Sequence, residues 1–168
     1  MCLKLNSSPK GKRVTAFEIS TVESGPRKVT RRVEVSAPAA EVFSLISNPH
    51  RHVEIDGSGT IRDVEVRGPD HLAVGDKFSV GMKQYGVPYR ITSTVTAADD
   101  DRLLEWQHPG GWRWRWELRG TTRGSTEITE TFDYSTLKHP FWLGISGMPR
   151  RNAEGITATL QGLVRRFG

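Results

Sequence analysis

The sequence predicts an α+β domain in which a curved antiparallel sheet of six to seven strands surrounds a long C-terminal helix. Three observations lead to this prediction. Apolar residues alternate along a first strand, turn-forming residues separate several further strand-like segments, and the apolar period becomes helical at the end of the chain. One amphipathic helix cannot cover so wide a sheet as a flat layer. We therefore expect the sheet to curl around the helix and to leave a space between them.

The first elements in the chain are a strand and two short helices. The segment KVTRRVEV at residues 28–35 alternates, which places four side chains on one face: Val29, Arg31, Val33 and Val35. Pro38 then suits the first turn of a helix that ends near residues 48–49. A brief helical turn and a loop are expected to follow, because Pro49 and two nearby glycines interrupt any longer helix.

The middle of the chain predicts a meander of antiparallel strands. Turn-forming residues, such as those at 99–101 and 109–111, separate segments of strand character. The predicted strands lie near residues 60–67, 74–84, 87–97, 102–108, 112–119 and 125–134.

The end of the chain predicts one long helix that Pro149 opens. Its apolar residues recur at spacings of three and four: Ile156, Leu160, Leu163, Val164 and Phe167. Gly155 and Gly162 each cost this helix about 1 kcal/mol relative to alanine. The helix must therefore depend on tertiary packing.

The chain has 168 residues, which suits one domain. We expect residues 1–27 to form a partly disordered tail and residues 28–168 to form the domain. The net charge is +5, but residues 1–32 carry 8 Lys/Arg against 2 acids and residues 138–168 carry 5 against 1, whereas the remainder carries 11 against 16. Because the excess lies at the chain ends rather than on one face, no nucleic-acid partner is predicted.

Several classes of chemistry are disfavoured by what the sequence lacks. Cys2 is the only cysteine, so no intrachain disulfide or zinc knuckle is expected, and a cytoplasmic location fits best. No apolar run approaches the roughly 20 residues of a membrane span. The sequence also lacks a GxSxG elbow, a Walker loop and a GxGxxG fingerprint, so no cofactor is predicted.

A resemblance to a known family is carried by four segments: VEVSAPAAEVFSLISNPHRHVEIDGSG, VGDKFSV, LLEWQHPGGWRWRWELRGTTRGSTEITETFDYS and the terminal helix. Over residues 28–167 the chain resembles the polyketide cyclase/dehydrase and lipid-transport family of the START-like (SRPBCC) superfamily. The resemblance implies a helix-grip fold with a hydrophobic cavity between sheet and helix. Members of such families have mixed activities, so the resemblance specifies architecture better than chemistry.

Strand alternation assigns side chains to the inward face of the predicted sheet. In GWRWRWEL, the residues Trp112, Trp114 and Trp116 point inward, where they would either stack on a planar ligand or form plain core. The inward set as a whole is mostly apolar with a few polar members, as in a small-molecule pocket. The candidate ligand-binding residues are Tyr89, Trp106, Trp112, Trp114, Trp116, Tyr134, Met82, Gln84, Asp56, Ile156 and Leu160.

Glu130 and His108 are the candidate catalytic residues. Glu130 shares a face with Ile128 and Phe132, and a carboxylate there is costly to bury unless it is paired or protonated. It is therefore a structural partner of an inward arginine such as Arg31 or Arg62, a residue at a strand end that reaches water, or a group that contacts a ligand or transfers a proton. His108 lies at a strand end, where it is either exposed or able to orient a ligand or move a proton.

The segment His50-Arg51-His52, with Glu54 and Asp56, superficially resembles a metal site. These residues lie in a loop without a matching distant His or Cys pair, so no metal site is predicted. In START-like proteins this segment often borders the cavity mouth. His52 and Asp56 are accordingly either entrance contacts or part of a solvated loop.

Three hypotheses for function follow. The first is binding or transport of a small hydrophobic or aromatic molecule, lipid or polyketide-like, in an internal cavity. The second, permitted by the family resemblance, is a cyclase/dehydrase-type enzyme in which Glu130 or His108 transfers a proton. The third is a protein-interaction domain whose interior is filled core. No sequence feature indicates an oligomeric state.

Overall fold

Seven strands form one open, curved antiparallel sheet in the computed structural model, which describes residues 18–56, 66–84, 87–138 and 145–168. The side chains at positions 82–84 lie outside this description. The strands are β1 (Ser20–Thr21), β2 (Lys28–Val35), β3 (Lys77–Gln84), β4 (Val87–Asp99), β5 (Leu103–Gln107), β6 (Arg113–Gly120) and β7 (Thr126–Asp133).

The sheet order is β1-β2-β7-β6-β5-β4-β3, so β3 to β7 form a meander and β7 returns to pair with β2. Register brings Val33 opposite Ile128 and Leu118 opposite Ile128, which aligns the apolar positions of three strands on one face. A bulge in β4 between Val95 and Ala97 shifts the register against β5. Such a bulge bends a strand and increases its twist, as a curved sheet requires.

The described ranges contain two α-helices and a 3₁₀ helix of four residues or more beside the sheet. Helix α1 (Ala39–Ile46) and a 3₁₀ helix (Pro49–Glu54) follow β2, and the long helix α2 (Met148–Phe167) ends the chain. The fold class predicted from the sequence is thereby confirmed, including both short helices after the first long strand. None of the helices in the described ranges is long and apolar enough to cross a membrane.

Two differences from the predicted strands appear. The two-residue strand β1 pairs with β2 at the sheet edge, and the sequence did not predict it because two residues carry no periodicity. The strand predicted near 60–67 falls largely on residues 57–65, which lie outside the described residues. Of that segment, Arg67 forms a single antiparallel bridge with Ser79.

The C-terminal half of α2 is fixed to the rest of the domain. Leu160 and Leu163 are fully buried, the Ser36 N–H donates to the Phe167 carbonyl at 3.0 Å, and Arg166 pairs with Glu54 at 2.8 Å. Gly162 permits this packing, because a Cβ added there would lie 3.0 Å from the Ile55 carbonyl oxygen. Gly162 therefore lowers the intrinsic helix propensity of α2 but allows the helix to pack closely against Ile55.

Candidate functional site

A cavity of about 710 Å³ lies between the concave face of the sheet and the first half of α2. Every strand from β3 to β7 contributes to its wall, together with α1 and the 3₁₀ helix. The lining residues outside α2 are Ile46, His52, Ile55, Asp56, Phe78, Val80, Tyr89, Ile91, Ser93, Trp106, His108, Trp112, Trp114, Trp116 and Glu130. Those from α2 are Met148, Arg151, Asn152, Glu154, Gly155, Ile156, Ala158 and Thr159.

Aromatic rings form much of the sheet side of the cavity. Trp106 meets Phe78 edge to face at 5.4 Å between ring centroids and stacks on His52 at 5.8 Å. Trp114 contacts Phe132 at 5.1 Å. Such offset and edge contacts are favourable geometries for aromatic pairs and hold the rings in defined orientations.

Glu130 is the one carboxyl group in the buried core of the described residues. It is 4% exposed, and its Oε2 atom has no hydrogen-bond partner within the described ranges. Burial raises the pKa of Glu130 well above its ordinary value of 4.5, because a low-dielectric surrounding penalises the charged form. A neutral carboxylic acid is therefore the favoured species at this position.

The expected arginine partners do not neutralise Glu130 in the part of the chain that the structure describes. Arg31 lies directly opposite Glu130 on β2, but its Nη1 donates to the Thr30 carbonyl at 2.9 Å and makes no ion pair with Glu130. Arg62 lies outside the described residues. Among described groups, the structural-pair interpretation of Glu130 thus finds no support.

Trp116 contributes another buried polar atom to the cavity wall. It is 4% exposed and lies directly opposite Glu130 in the β6–β7 register. Its Nε1 atom is buried and, like Oε2 of Glu130, has no hydrogen-bond partner among described residues. Two unsatisfied polar groups thus lie on neighbouring strands of one cavity, which is uncommon in a folded core.

His108 is held at the end of β5 by the following turn. The Gly110 N–H donates to His108 Nδ1 at 2.9 Å, which leaves the proton of a neutral imidazole on Nε2. Burial lowers the pKa of His108, which favours that neutral form. The ring stacks on Trp112 at 4.1 Å, and Nε2 is buried without a partner in the described part of the chain.

His52 belongs to the cavity wall rather than to a solvated loop. One of its nitrogens, Nε2, lies 2.8 Å from the Ile46 carbonyl oxygen, to which it donates. Burial lowers the pKa of His52, outweighing the opposing effects of the Ile46 hydrogen bond and of Asp56. Arg51 and Glu54 pair with each other instead, and no metal-binding group occurs within the described residues.

The first half of α2 presents polar side chains that sequence analysis did not select. Arg151, Asn152 and Thr159 line the cavity, although in the sequence they resemble ordinary surface residues of an amphipathic helix. Arg151 donates to the Ser146 carbonyl at 3.0 Å. Asn152, Ile156 and Thr159 are spaced by four and three residues, which places them on one helix face. This spacing is the sequence pattern by which the polar lining residues could have been identified.

Most of the predicted ligand-binding residues come together in this cavity, namely Tyr89, Trp106, Trp112, Trp114, Trp116, Asp56 and Ile156. Tyr134 and Leu160 are not among the lining residues. Tyr134 stacks on Phe132 at 5.5 Å, and Leu160 is 0% exposed in the core. The side chains of Met82 and Gln84 lie outside the described residues.

A second, smaller groove of about 460 Å³ lies on the convex face of the sheet. Its walls carry arginine and acidic side chains that pair with one another, as in Arg119–Glu127 at 3.1 Å and Arg115–Glu117 at 3.1 Å. Because these charged side chains form ion pairs with one another, the groove does not require a ligand to explain them. The cavity under α2 is therefore the candidate site.

Comparison with known proteins agrees with the architecture. The chain is 47% identical over 163 residues to an uncharacterized protein of Mycobacterium tuberculosis, Rv0088, spanning 95% of this chain and 71% of that protein. Two of the solved structures that share the fold serve as examples. The Polyketide_cyc-like protein Cgl2372 of Corynebacterium glutamicum has a TM-score of 0.58 and 21% identity, with 83% of this chain and 90% of that chain covered.

The second solved structure, protein CV1439 of Chromobacterium violaceum, has a TM-score of 0.62 and 12% identity, with 84% and 98% of the two chains covered. The family described as polyketide cyclase/dehydrase and lipid transport matches residues 26–168. This match includes every strand of the sheet except β1. It also includes all the residues that line the cavity. The chain belongs to the polyketide cyclase/dehydrase and lipid-transport family.

Proposed function

We propose that this protein binds a small hydrophobic or aromatic molecule, of lipid or polyketide-like chemistry, in the cavity beneath α2. The observation that carries the proposal is the cavity itself, whose aromatic and aliphatic wall contains a few buried, unpaired polar groups. Its volume of about 710 Å³ falls within the roughly 300–1,000 Å³ of small-molecule sites. Apolar walls supply binding free energy, and sparse polar groups fix orientation.

The proposal assigns ligand binding to residues 28–168 of a cytoplasmic protein. The cavity wall is drawn entirely from this part of the chain, beginning at Ile46. A single cysteine, Cys2, fits a reducing compartment.

Native mass spectrometry of protein purified from cells tests the proposal. We expect a bound apolar molecule to survive transfer into the gas phase, or, if purification strips it, saturable binding of N-phenyl-1-naphthylamine with increased dye fluorescence. Repeated recovery of an empty protein that also fails to bind the dye would reject the proposal.

A second candidate function is a cyclase- or dehydrase-type reaction, which the buried Glu130 favours. A neutral carboxylic acid can protonate a leaving hydroxyl group during loss of water, and the neutral His108 imidazole, which carries its proton on Nε2, can act as a donor. The cavity would hold a flexible substrate so that its reacting atoms approach. Unchanged turnover of a candidate substrate by both Glu130→Gln and His108→Ala would eliminate these roles.

A further inference from the structure

Ser93 is a buried polar side chain on the otherwise apolar inward face of β4. It lies directly opposite Phe78 of β3, lines the cavity and is 5% exposed. We infer that the cavity ligand carries an uncharged hydroxyl group, an alcohol or a phenol, which hydrogen-bonds to Ser93 on the sheet and to Asn152 or Thr159 on α2. This inference rests on the proposed function and narrows its ligand class.

The Ser93 hydroxyl is open to the cavity and has no hydrogen-bond partner within the described ranges. The unpartnered polar atoms that are completely covered in those ranges belong to His108, Arg113, Trp116 and Glu130, and Ser93 is not among them. Because its side chain points to the concave face, the accessible surface of its oxygen faces the space where a ligand would lie. A buried hydroxyl without a partner is costly, so a ligand hydrogen bond at this position is favourable.

Two side chains of α2 present the same kind of group from the opposite wall. A helical threonine often donates its hydroxyl to the carbonyl four residues earlier, as Thr157 does to Ala153 at 2.8 Å. Thr159 makes no such bond in the described part of the chain, and it lines the cavity. Asn152, seven residues earlier on the same helix face, likewise lines the cavity without a side-chain partner among described residues.

These three groups are uncharged, and each of them can both donate and accept a hydrogen bond. The described lining residues also include three carboxyl groups, at Asp56, Glu130 and Glu154, against one guanidinium group, at Arg151. An anionic ligand headgroup is therefore disfavoured. Glu154 already pairs with Arg150 at 3.1 Å, and Oε2 of Glu130 is covered, so these two acids do not require a cationic ligand.

His52 favours a ligand group that can donate. Its Nε2 donates to the Ile46 carbonyl at 2.8 Å, so Nδ1 of the neutral ring is an acceptor. No described donor reaches Nδ1, which is not one of the covered atoms. His52 and Ser93 lie beside the same ring, since Phe78 is opposite Ser93 and its centroid is 6.1 Å from that of His52. A hydroxyl group, unlike a ketone, can donate to one of these side chains and accept from the other.

The test uses rigid probes that share one ring system: fluorene, 9-fluorenol, 9-fluorenone and fluorene-9-carboxylate. Dissociation constants are measured by displacement of N-phenyl-1-naphthylamine from the full chain and its variants. Ser93→Ala removes the hydroxyl of the sheet, and the double substitution of Asn152→Leu with Thr159→Val removes both polar groups of α2 at similar size. Ser79→Ala and Thr157→Val are the matched controls, because their hydroxyls bond within the protein and neither residue lines the cavity.

We expect the wild type to bind 9-fluorenol at least roughly threefold more tightly than the ketone or the carboxylate, although the ketone gives up less hydration. The ratio of fluorenol to fluorene affinity should fall roughly two- to tenfold in Ser93→Ala and in the α2 double variant, the effect of losing one hydrogen bond. Both controls should keep the wild-type ratio. Ser93→Ala should unfold at a urea concentration no lower than the wild type does, whereas loss of a structural hydrogen bond would lower it.

An unchanged ratio in Ser93→Ala or in the α2 double variant overturns this inference while leaving apolar binding intact. Tighter binding of the ketone or the carboxylate than of fluorenol by the wild type also overturns it, because the ligand would then carry a different group. A wild type that binds the dye but none of the fluorene probes overturns the inference and leaves the proposed function standing. Failure to bind the dye, together with an empty protein in native mass spectrometry, overturns both.

Discussion

Trp116 and Glu130 lie directly opposite each other on β6 and β7, and each buries a polar atom that has no hydrogen-bond partner in the described part of the chain. Both side chains line the cavity under α2. Native interiors rarely leave such groups unpaired, since each costs roughly 1–3 kcal/mol. This pair therefore distinguishes the cavity wall from ordinary core.

Glu130 makes the stability of the protein pH-dependent in a defined direction. Below the ordinary carboxyl pKa of 4.5, Glu130 is protonated in both the folded and the unfolded chain, so its burial does not reduce the free energy of unfolding through ionisation. As pH rises, the unfolded chain releases its proton while the folded protein retains it, and stability is lost up to the raised pKa of the folded state. We expect Glu130→Gln to gain stability relative to the wild type as pH rises above 4.5.

Urea unfolding of the two proteins from pH 5 to pH 9 checks this expectation. The exposed outer-face Glu117, which pairs with Arg115, provides a control substitution that should follow the wild-type profile. Parallel profiles for the wild type and Glu130→Gln would show that Glu130 ionises in the folded protein as it does in water.

His52 predicts the opposite dependence. Above the ordinary histidine pKa of 6.5, His52 is neutral in both the folded and the unfolded chain. Just below that pH the unfolded chain binds a proton, whereas the buried ring of the folded protein stays neutral. Stability is thus lost as pH falls from 6.5 toward the lowered pKa of the folded state. His52→Gln, which keeps an N–H donor for the Ile46 carbonyl, should reduce this loss in denaturant unfolding between pH 7 and pH 5. An unaltered slope would argue against a neutral buried imidazole.

Gly110 controls the position of His108 and Trp112. A Cβ at this position would collide with the Trp112 indole, so Gly110→Ala must displace the ring or the turn. We expect a loss of about 1–3 kcal/mol in the free energy of unfolding, typical of overpacking. Gly120→Ala, where nothing lies within 4 Å of the added carbon, is the matched control and should change stability little. Equal effects of the two substitutions would contradict the described packing.

Leu160 distinguishes core from cavity on the same helix. It is 0% exposed but does not line the cavity, so Leu160→Ala should cost about 2–5 kcal/mol of unfolding free energy and leave probe affinity nearly unchanged. Ile156→Ala should affect both quantities, because Ile156 is buried and lines the cavity. Chemical denaturation and dye titration of both variants provide the comparison. A larger loss of affinity for Leu160→Ala would place the ligand deeper in the core.

Periodicity was sufficient to predict the fold and part of the cavity wall. Alternation in β6 placed its tryptophans inward, and alternation in β7 placed Glu130 beside Phe132, because strand faces follow directly from residue parity. The bounds of α2 followed from Pro149 and from the helical spacing of its apolar residues. These features depend on local sequence alone.

Other features depend on tertiary geometry that no spacing rule contains. Arg151, Asn152 and Thr159 line the cavity only because the first half of α2 crosses the open part of the sheet. Leu160, which directly follows Thr159, is buried in the core and does not line the cavity. The unpaired state of Trp116 and Glu130 likewise depends on where Arg31 directs its guanidinium group.

Filling the cavity tests its role most directly. Ala158 lines the cavity from α2, and Gln161 on the same helix is exposed, so Ala158→Trp and Gln161→Trp add the same side chain inside and outside the proposed site. N-phenyl-1-naphthylamine titration should show binding abolished or weakened at least tenfold by Ala158→Trp and retained by Gln161→Trp, with both variants folded by circular dichroism. Undiminished binding by a folded Ala158→Trp would contradict ligand binding beneath α2.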